Sequence, residues 1–215
     1  SDKPLRKYIT LSKTRGFCYT SFMSRAEELN QIHKKWSAKC KCGLKKTAKQ
    51  AVFGDGNSSA KIVFIGEAPG KKEDETGVPF VGSAGKFLSE MLESIKMKRD
   101  DVYITNIVKY RPPENRDPTS KEKEDCREWL YEELKFIKPE LIVFLGRHSM
   151  NDFFPDLKIS DAHGKLIHKR FADFPTENFL PLYHPAAALY NGSMRETLIK
   201  DFRKIPKILD KIKTR

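Results

Sequence analysis

At 215 residues the chain can bury one α/β core, and its length gives no reason to divide it into two globular domains. The 41 Lys+Arg residues against 29 Asp+Glu leave a formal charge of +12, which favours a polyanionic partner, nucleic acid ahead of an anionic membrane. No apolar run approaches the roughly 20 residues needed to span a bilayer, and the charged Ser1 to Lys13 start lacks the apolar stretch of a signal peptide, so no membrane partner and an intracellular, cytoplasmic or nucleoid-associated place are expected.

In chain order, Arg25 to Trp36 reads as helical and runs into the lysine-rich segment Lys39 to Leu44, after which Gly54, Gly56 and Asn57 mark a loop. Lys61-IVFIG, Asp101-VYITNIV, Glu140-LIVFLG and Asn178-FLPLY have the length and the β-branched and aromatic content of buried parallel strands. Between them, Ser83 to Lys96 sets Phe87, Leu88, Met91, Leu92 and Ile95 on one helical face. Thr119 to Lys138 does the same with Cys126, Trp129, Leu130, Leu134 and Ile137. Thr119 or Ser120 is the expected N-cap. Arg195 to Arg215 reads as a basic amphipathic helix interrupted at Pro206. The alternation predicts an α/β fold: a single domain with an open, mostly parallel, four-stranded sheet flanked by helices on both faces.

Ligands of such sheets bind beyond the carboxyl ends of the strands, so what each strand runs into carries the information. The first runs into Gly66-Glu67-Ala68-Pro69-Gly70, a tight turn bearing one carboxylate. The second ends in Thr105-Asn106, followed by Arg111-Pro112-Pro113-Glu114-Asn115-Arg116. The fourth gives Tyr183-His184-Pro185-Ala186-Ala187, and Val78-Pro79-Phe80-Val81-Gly82-Ser83-Ala84-Gly85 presents an aromatic ring just before a helix N-terminus.

At these residues the chain resembles the uracil-DNA glycosylase superfamily, and within it family 4, the thermostable type of archaea and bacteria. The resemblance runs from about Leu29 to Ile205 and rests on an ordered set: GEAPG, ED-x-x-G-x-PFVG-x-AG, VYITNIVK-x-RPP-x-NR, LG and YHPAA. It implies an enzyme that cuts the N-glycosidic bond of deoxyuridine flipped out of DNA, releasing uracil and leaving an abasic site, with residues 29–215 as the catalytic domain and 1–28 as an N-terminal extension. The enzyme is expected to be monofunctional, because no lysine of the motif set stands as a Schiff-base nucleophile.

The residue types suit that chemistry. The side-chain amide of Asn106 offers a donor and an acceptor, matching the O4 and N3–H edge of uracil and mismatching cytosine. Phe80 supplies a face for the flipped ring, beside the Gly66 turn. His184 donates to O2 and stabilises the uracil anion as the bond breaks, and Glu67 positions the attacking water or stabilises the cationic sugar. For DNA, the helix head Gly82, Ser83, Ala84, Gly85 can take a phosphate on backbone N–H groups. Lys109, Arg111, Arg116 and His163-Gly164-Lys165 are candidate backbone contacts. Leu189, with Tyr190 second, is the candidate wedge for the gap left by the flipped base. Taken singly, each has a blander reading: Glu67 as a helix-start carboxylate, His184 as a core or surface histidine, Asn106 as a turn former, Phe80 as core packing beside proline. His33, His148 and His168 have no motif support and read as structural.

The cysteines depart from the pattern. Family 4 implies a [4Fe–4S] cluster, held by a C-x-x-C pair, a cysteine before R-P-P and one about sixteen residues later. Here Cys42 and Cys126 match, the pair is Cys40-Lys41-Cys42, and Tyr110 occupies the third position. Either Cys18 joins Cys40, Cys42 and Cys126 in a Cys₄ set, or no cluster is bound and Cys126 is an apolar packing residue; the glycosylase chemistry needs no cofactor in either case. Uracil-containing DNA and uracil are the expected partners of a monomer, with a sliding clamp as a candidate protein partner. Two other functions fit the fold: a relative that traps uracil-DNA covalently through a histidine, disfavoured because no histidine lies between Asn106 and Cys126, and a non-catalytic DNA-binding or polymerase-associated module.

Overall fold

The computed structural model describes residues 23–214. In chain order the elements are α1 (Arg25–Lys39), β1 (Asp55–Gly56), β2 (Ile62–Gly66), α2 (Lys71–Thr76), α3 (Ser83–Ser94), β3 (Tyr103–Asn106) and α4 (Ser120–Ile137). They continue with β4 (Leu141–Leu145), α5 (Arg147–Phe153), α6 (Ile159–Ala162), β5 (Ile167–His168), β6 (Asn178–Leu182), α7 (Ala187–Tyr190), α8 (Gly192–Phe202) and α9 (Ile205–Lys213). The sheet order is β1-β3-β2-β4-β6-β5, with β3, β2, β4 and β6 parallel and both edges antiparallel.

The four long apolar runs are the four parallel strands, but the described sheet has six strands rather than the expected four. The two edge strands are two residues long, too short to leave a periodic signal in sequence. Every residue of β2 and β4 is buried, because helices cover both faces. Alternate side chains serve two cores. Val63, Ile65, Ile142 and Phe144 pack with α1, α4 and α5 through Leu29, Trp129, Leu130 and Met150. Ile62, Phe64, Val143 and Leu145 pack with α3, α8 and α9 through Leu88, Leu92, Phe202 and Ile205. Each fully buried large aliphatic or aromatic side chain contributes roughly 1.5–3 kcal/mol.

Helix ends follow local chemistry. Thr119 caps α4 in a capping box, its hydroxyl accepting from Glu122 N while the Glu122 carboxylate accepts from Thr119 N at 2.8 Å. The C-terminal segment breaks between Phe202 and Ile205, so Pro206 sits in the first turn of α9, where its missing N–H leaves no bond unmade.

Candidate active site

The chain runs from β2 outward to β3, then back across β2 to β4, so strand order reverses between β2 and β4. That reversal opens a crevice beyond the strand ends. A cleft of about 210 Å³ lies there, lined by Glu67, Gly146, His148, Tyr183, His184 and Ala187 among others. Asn106 and Phe80 stand outside its wall, linked to it through Gly66 and His184.

Asn106 closes β3 and is the register partner of Gly66. It is buried, and its Oδ1 has no hydrogen-bond partner among the described residues, an unpaired acceptor that a ligand donor would satisfy. A Cβ at Gly66 would collide with both Asn106 Oδ1 and Phe80 Cζ, so only glycine leaves room for the pair.

Phe80 is held in the left-handed region, φ 53°, at a cost of order 1–3 kcal/mol for a non-glycine residue. Its surroundings enforce this. Arg99 donates from Nη1 to Phe80 O at 3.0 Å and from Nη2 to Pro79 O at 2.7 Å. Glu73 Oε1 accepts from Val81 N at 2.9 Å and from Gly82 N at 2.8 Å. Gly85 leaves space for the Phe80 carbonyl, which a Cβ there would strike. The Phe80 ring thus stands 5.8 Å from that of His184, inclined by 35°. Arg99 belongs to no motif, and Glu73 opens the ED-x-x-G motif without a role readable there; only the fold brings the two to this loop.

His184 Nδ1 accepts from Ala186 N at 3.1 Å, which leaves the proton of the neutral ring on Nε2. Burial, and then the nearby His148, push its pKa down to about 4. Glu67 is tuned the opposite way. Burial and then the negative charge of Asp117 raise its pKa to about 7, against the opposing pull of Lys123 and Arg147. Its Oε1 is buried without a hydrogen-bond partner among the described residues. A neutral imidazole donor and a carboxylate that ionises near neutrality therefore share one cleft. They can stabilise a departing anion and a water attacking from beside it.

His148, read as structural from sequence, belongs to this cleft. Its Nδ1 lies 3.4 Å from Glu67 Oε1 and its Nε2 3.5 Å from Asp117 Oδ2. The signal for it was available, because it stands three residues beyond β4 and so in the crevice, but Gly146-Arg147-His148 has no composition to single it out. His33 does match a structural reading, since it is buried and meets Glu133 at 2.9 Å.

The expected DNA contacts divide. Lys109 is not a surface cation: it is fully buried and paired with Glu133 at 2.5 Å, inside a network that includes Thr105, Tyr103 and His33. Its place in the strand-end motif hid its inward direction. Gly82 N–H is already spent on Glu73, and Gly85 is buried against Phe80, so of the helix head Ser83 is the exposed member. Arg111 donates to Asn115 Oδ1 at 2.8 Å and Arg116 forks onto Glu122 at 2.7 and 2.9 Å. His163 is fixed by Asp201 at 2.6 Å and packs on the ring of Tyr183, whereas Lys165 is exposed. Leu189 and Tyr190 project from α7 at 43% and 91% exposure, beside the strand end that carries His184.

Cys40, Cys42 and Cys126 come together: Cys126 is the first cause that lowers the proton affinity of the other two thiols, and they in turn raise its own. Tyr110 joins them, its ring edge-on to Trp129, and burial raises its pKa first, with Ser37 opposing and the nearby thiols adding to the rise. Among the described residues the donors are therefore three thiols and a phenol, which does not make a Cys₄ site. Cys18 lies outside the described residues.

A model of the uracil DNA glycosylase superfamily matches residues 53–212. The chain is 46% identical to a type-4 uracil-DNA glycosylase of Archaeoglobus fulgidus, over 86% of this chain and 95% of that protein. It is 46% identical to one of Saccharolobus solfataricus over 80% and 82%, and 37% identical to one of Thermotoga maritima over 88% and 99%. With strand ends, cleft and sequence all in agreement, this chain belongs to the uracil DNA glycosylase superfamily.

Proposed function

We infer that the chain is a monofunctional uracil-DNA glycosylase, hydrolysing the N-glycosidic bond of deoxyuridine flipped out of DNA. The observation that carries the reading is the pairing of a neutral His184 donor with a Glu67 carboxylate that titrates near neutrality, next to the Asn106 Oδ1, unpaired among the described residues, and the ring of Phe80. In this reading uracil lies on Phe80 and its edge is read by Asn106. His184 Nε2–H donates to O2 as electrons of the breaking bond move onto the base. Glu67 holds the water that attacks C1′. Ser83, Arg111, His163 and Lys165 serve the DNA backbone, and Leu189 and Tyr190 enter the gap left by the base.

The test is release of uracil from single-stranded and duplex oligonucleotides, followed by alkaline strand scission. The Asn106→Ala and His184→Ala proteins should each lose about 10²–10³ in rate, the range for removing one preorganised donor. Full activity in both would reject the roles, and binding without base release would reject the enzyme.

A [4Fe–4S] cluster in this chain requires Cys18 as the fourth thiolate beside Cys40, Cys42 and Cys126, because the sequence has only four cysteines. No step of the base release passes through it. Residues 29–215 are read as the catalytic domain and 1–28 as an extension to it, and the protein as an intracellular monomer. Among the described residues no helix is long and apolar enough to cross a membrane.

A further inference from the structure

The roles of Glu67 and His184 leave His148 unused, although α5 delivers it, beside Arg147, to the wall of the cleft. Its surroundings are specific. Arg147 Nε donates to His148 Nε2 at 3.1 Å, so the neutral ring carries its proton on Nδ1, the nitrogen that lies 3.4 Å from Glu67 Oε1. That oxygen is buried and has no other partner among the described residues. The approach is slightly long for a hydrogen bond, as catalytic contacts are before substrate closes the site.

We propose that His148 is a positioning residue for base release: its Nδ1–H holds Glu67 Oε1 as an oriented carboxylate, leaving the other oxygen for the attacking water. The proposal rests on the reading of Glu67 as the residue that holds that water.

The charged groups facing this pair come from several elements. Asp117, on the loop before α4, lies 3.5 Å from His148 Nε2; Lys123 comes from α4, Arg147 from α5, and His184 from the end of β6. Asp117 raises the proton affinity of both Glu67 and His148, while Lys123 and Arg147 lower both. Burial keeps His148 below the usual histidine range, so it meets an ionised Glu67 as a neutral donor. A histidine fits here where lysine would not, since a neutral donor orients the carboxylate without forming a tight ion pair that withdraws it from water.

The test is single-turnover uracil release from about pH 5 to about pH 9, with the apparent pKa values read from the profile. His148→Phe, which keeps a ring and removes the donor, should slow release by about tenfold at neutral pH and move the acid limb upward by about one unit. His148→Asn, whose amide can donate from the place of Nδ1, should recover most of both. Affinity for DNA containing a non-cleavable 2′-fluoro-deoxyuridine should stay within about twofold in each. With Glu67→Gln as background, His148→Phe should cost nothing further, since the pair acts as one unit. A wild-type rate and limb in His148→Phe, or an equal, pH-independent loss in both His148 variants, would overturn the proposal. If His148→Phe does not fold, His148→Ala supplies the same readings. Wild-type activity in Glu67→Gln would instead remove the role of Glu67, a separate failure.

Discussion

Gly66 and Asn106 face each other across the parallel pair β2 and β3, and the Asn106 amide, with the edge of the Phe80 ring, fills the space a side chain at position 66 would take. Gly66→Ala should therefore displace amide and ring together without touching the cleft carboxylate. Misplacement on the scale of an ångström costs about 10²-fold in rate, which is the loss expected in uracil release. Far-UV circular dichroism should stay native, and an active Gly66→Ala protein would show that Asn106 and Phe80 can shift harmlessly.

The titration of the site gives a pH profile. Glu67 is ionised only above about 7, and His184 stays neutral down to about 4, so release should fall on the acid side of neutrality and show no separate histidine limb there. The sign for stability is the reverse of the sign for activity. A carboxyl whose folded pKa lies above its unfolded value binds an extra proton in the native state, so its contribution is full below the unfolded value and is lost as pH rises toward about 7. Glu67→Gln should thus be slowed yet more stable than wild type at alkaline pH, by at most roughly 3 kcal/mol. Equal stability of the two proteins across that range would contradict the raised pKa.

Lys109 and Glu133 form a buried pair supported by His33 and Thr105. Burial opposes the Glu133 charge, but Lys109 and His33 more than compensate and hold its pKa at about 2. This depressed carboxylate contributes stability at neutral pH that is lost as pH falls toward about 2. Lys109→Ala leaves the carboxylate buried and uncompensated, at a cost of about 3–5 kcal/mol. The melting temperature should drop by roughly 10 °C, while the salt dependence of DNA binding keeps its slope. A slope reduced by about one at unchanged melting temperature would instead mark Lys109 as a phosphate contact.

Leu189 and Tyr190 have the exposure of a wedge and no partner to explain it among the described residues. Alanine at both should slow release from duplex DNA by at least about tenfold while sparing single-stranded substrate, because only the duplex has a stack to open. Equal losses on both substrates would assign the two side chains to general binding instead.

The iron question turns on Cys18. Protein prepared anaerobically should be coloured and contain iron, and Cys18→Ser should remove both with little effect on the rate of base release. A colourless wild-type protein without iron would leave Cys126 as a packing residue, in keeping with its complete burial on α4.

The sequence alone made the parallel strands legible, because buried runs such as Ile62–Gly66 and Leu141–Leu145 must be apolar on both faces. It also determined Glu67, Asn106 and His184 as candidates, since polar residues placed just beyond such runs fall where an α/β sheet opens to ligand. The rest depended on contacts between distant parts of the chain. Edge strands of two residues have no period to read, and the inward turn of Lys109 depends on a carboxylate that α4 presents from 24 positions away. The roles of Arg99, Glu73 and His148 come from what they reach across the fold, even though Glu73 lies in a quoted motif: the strained Phe80 loop for the first two, and a buried oxygen of Glu67 for the third.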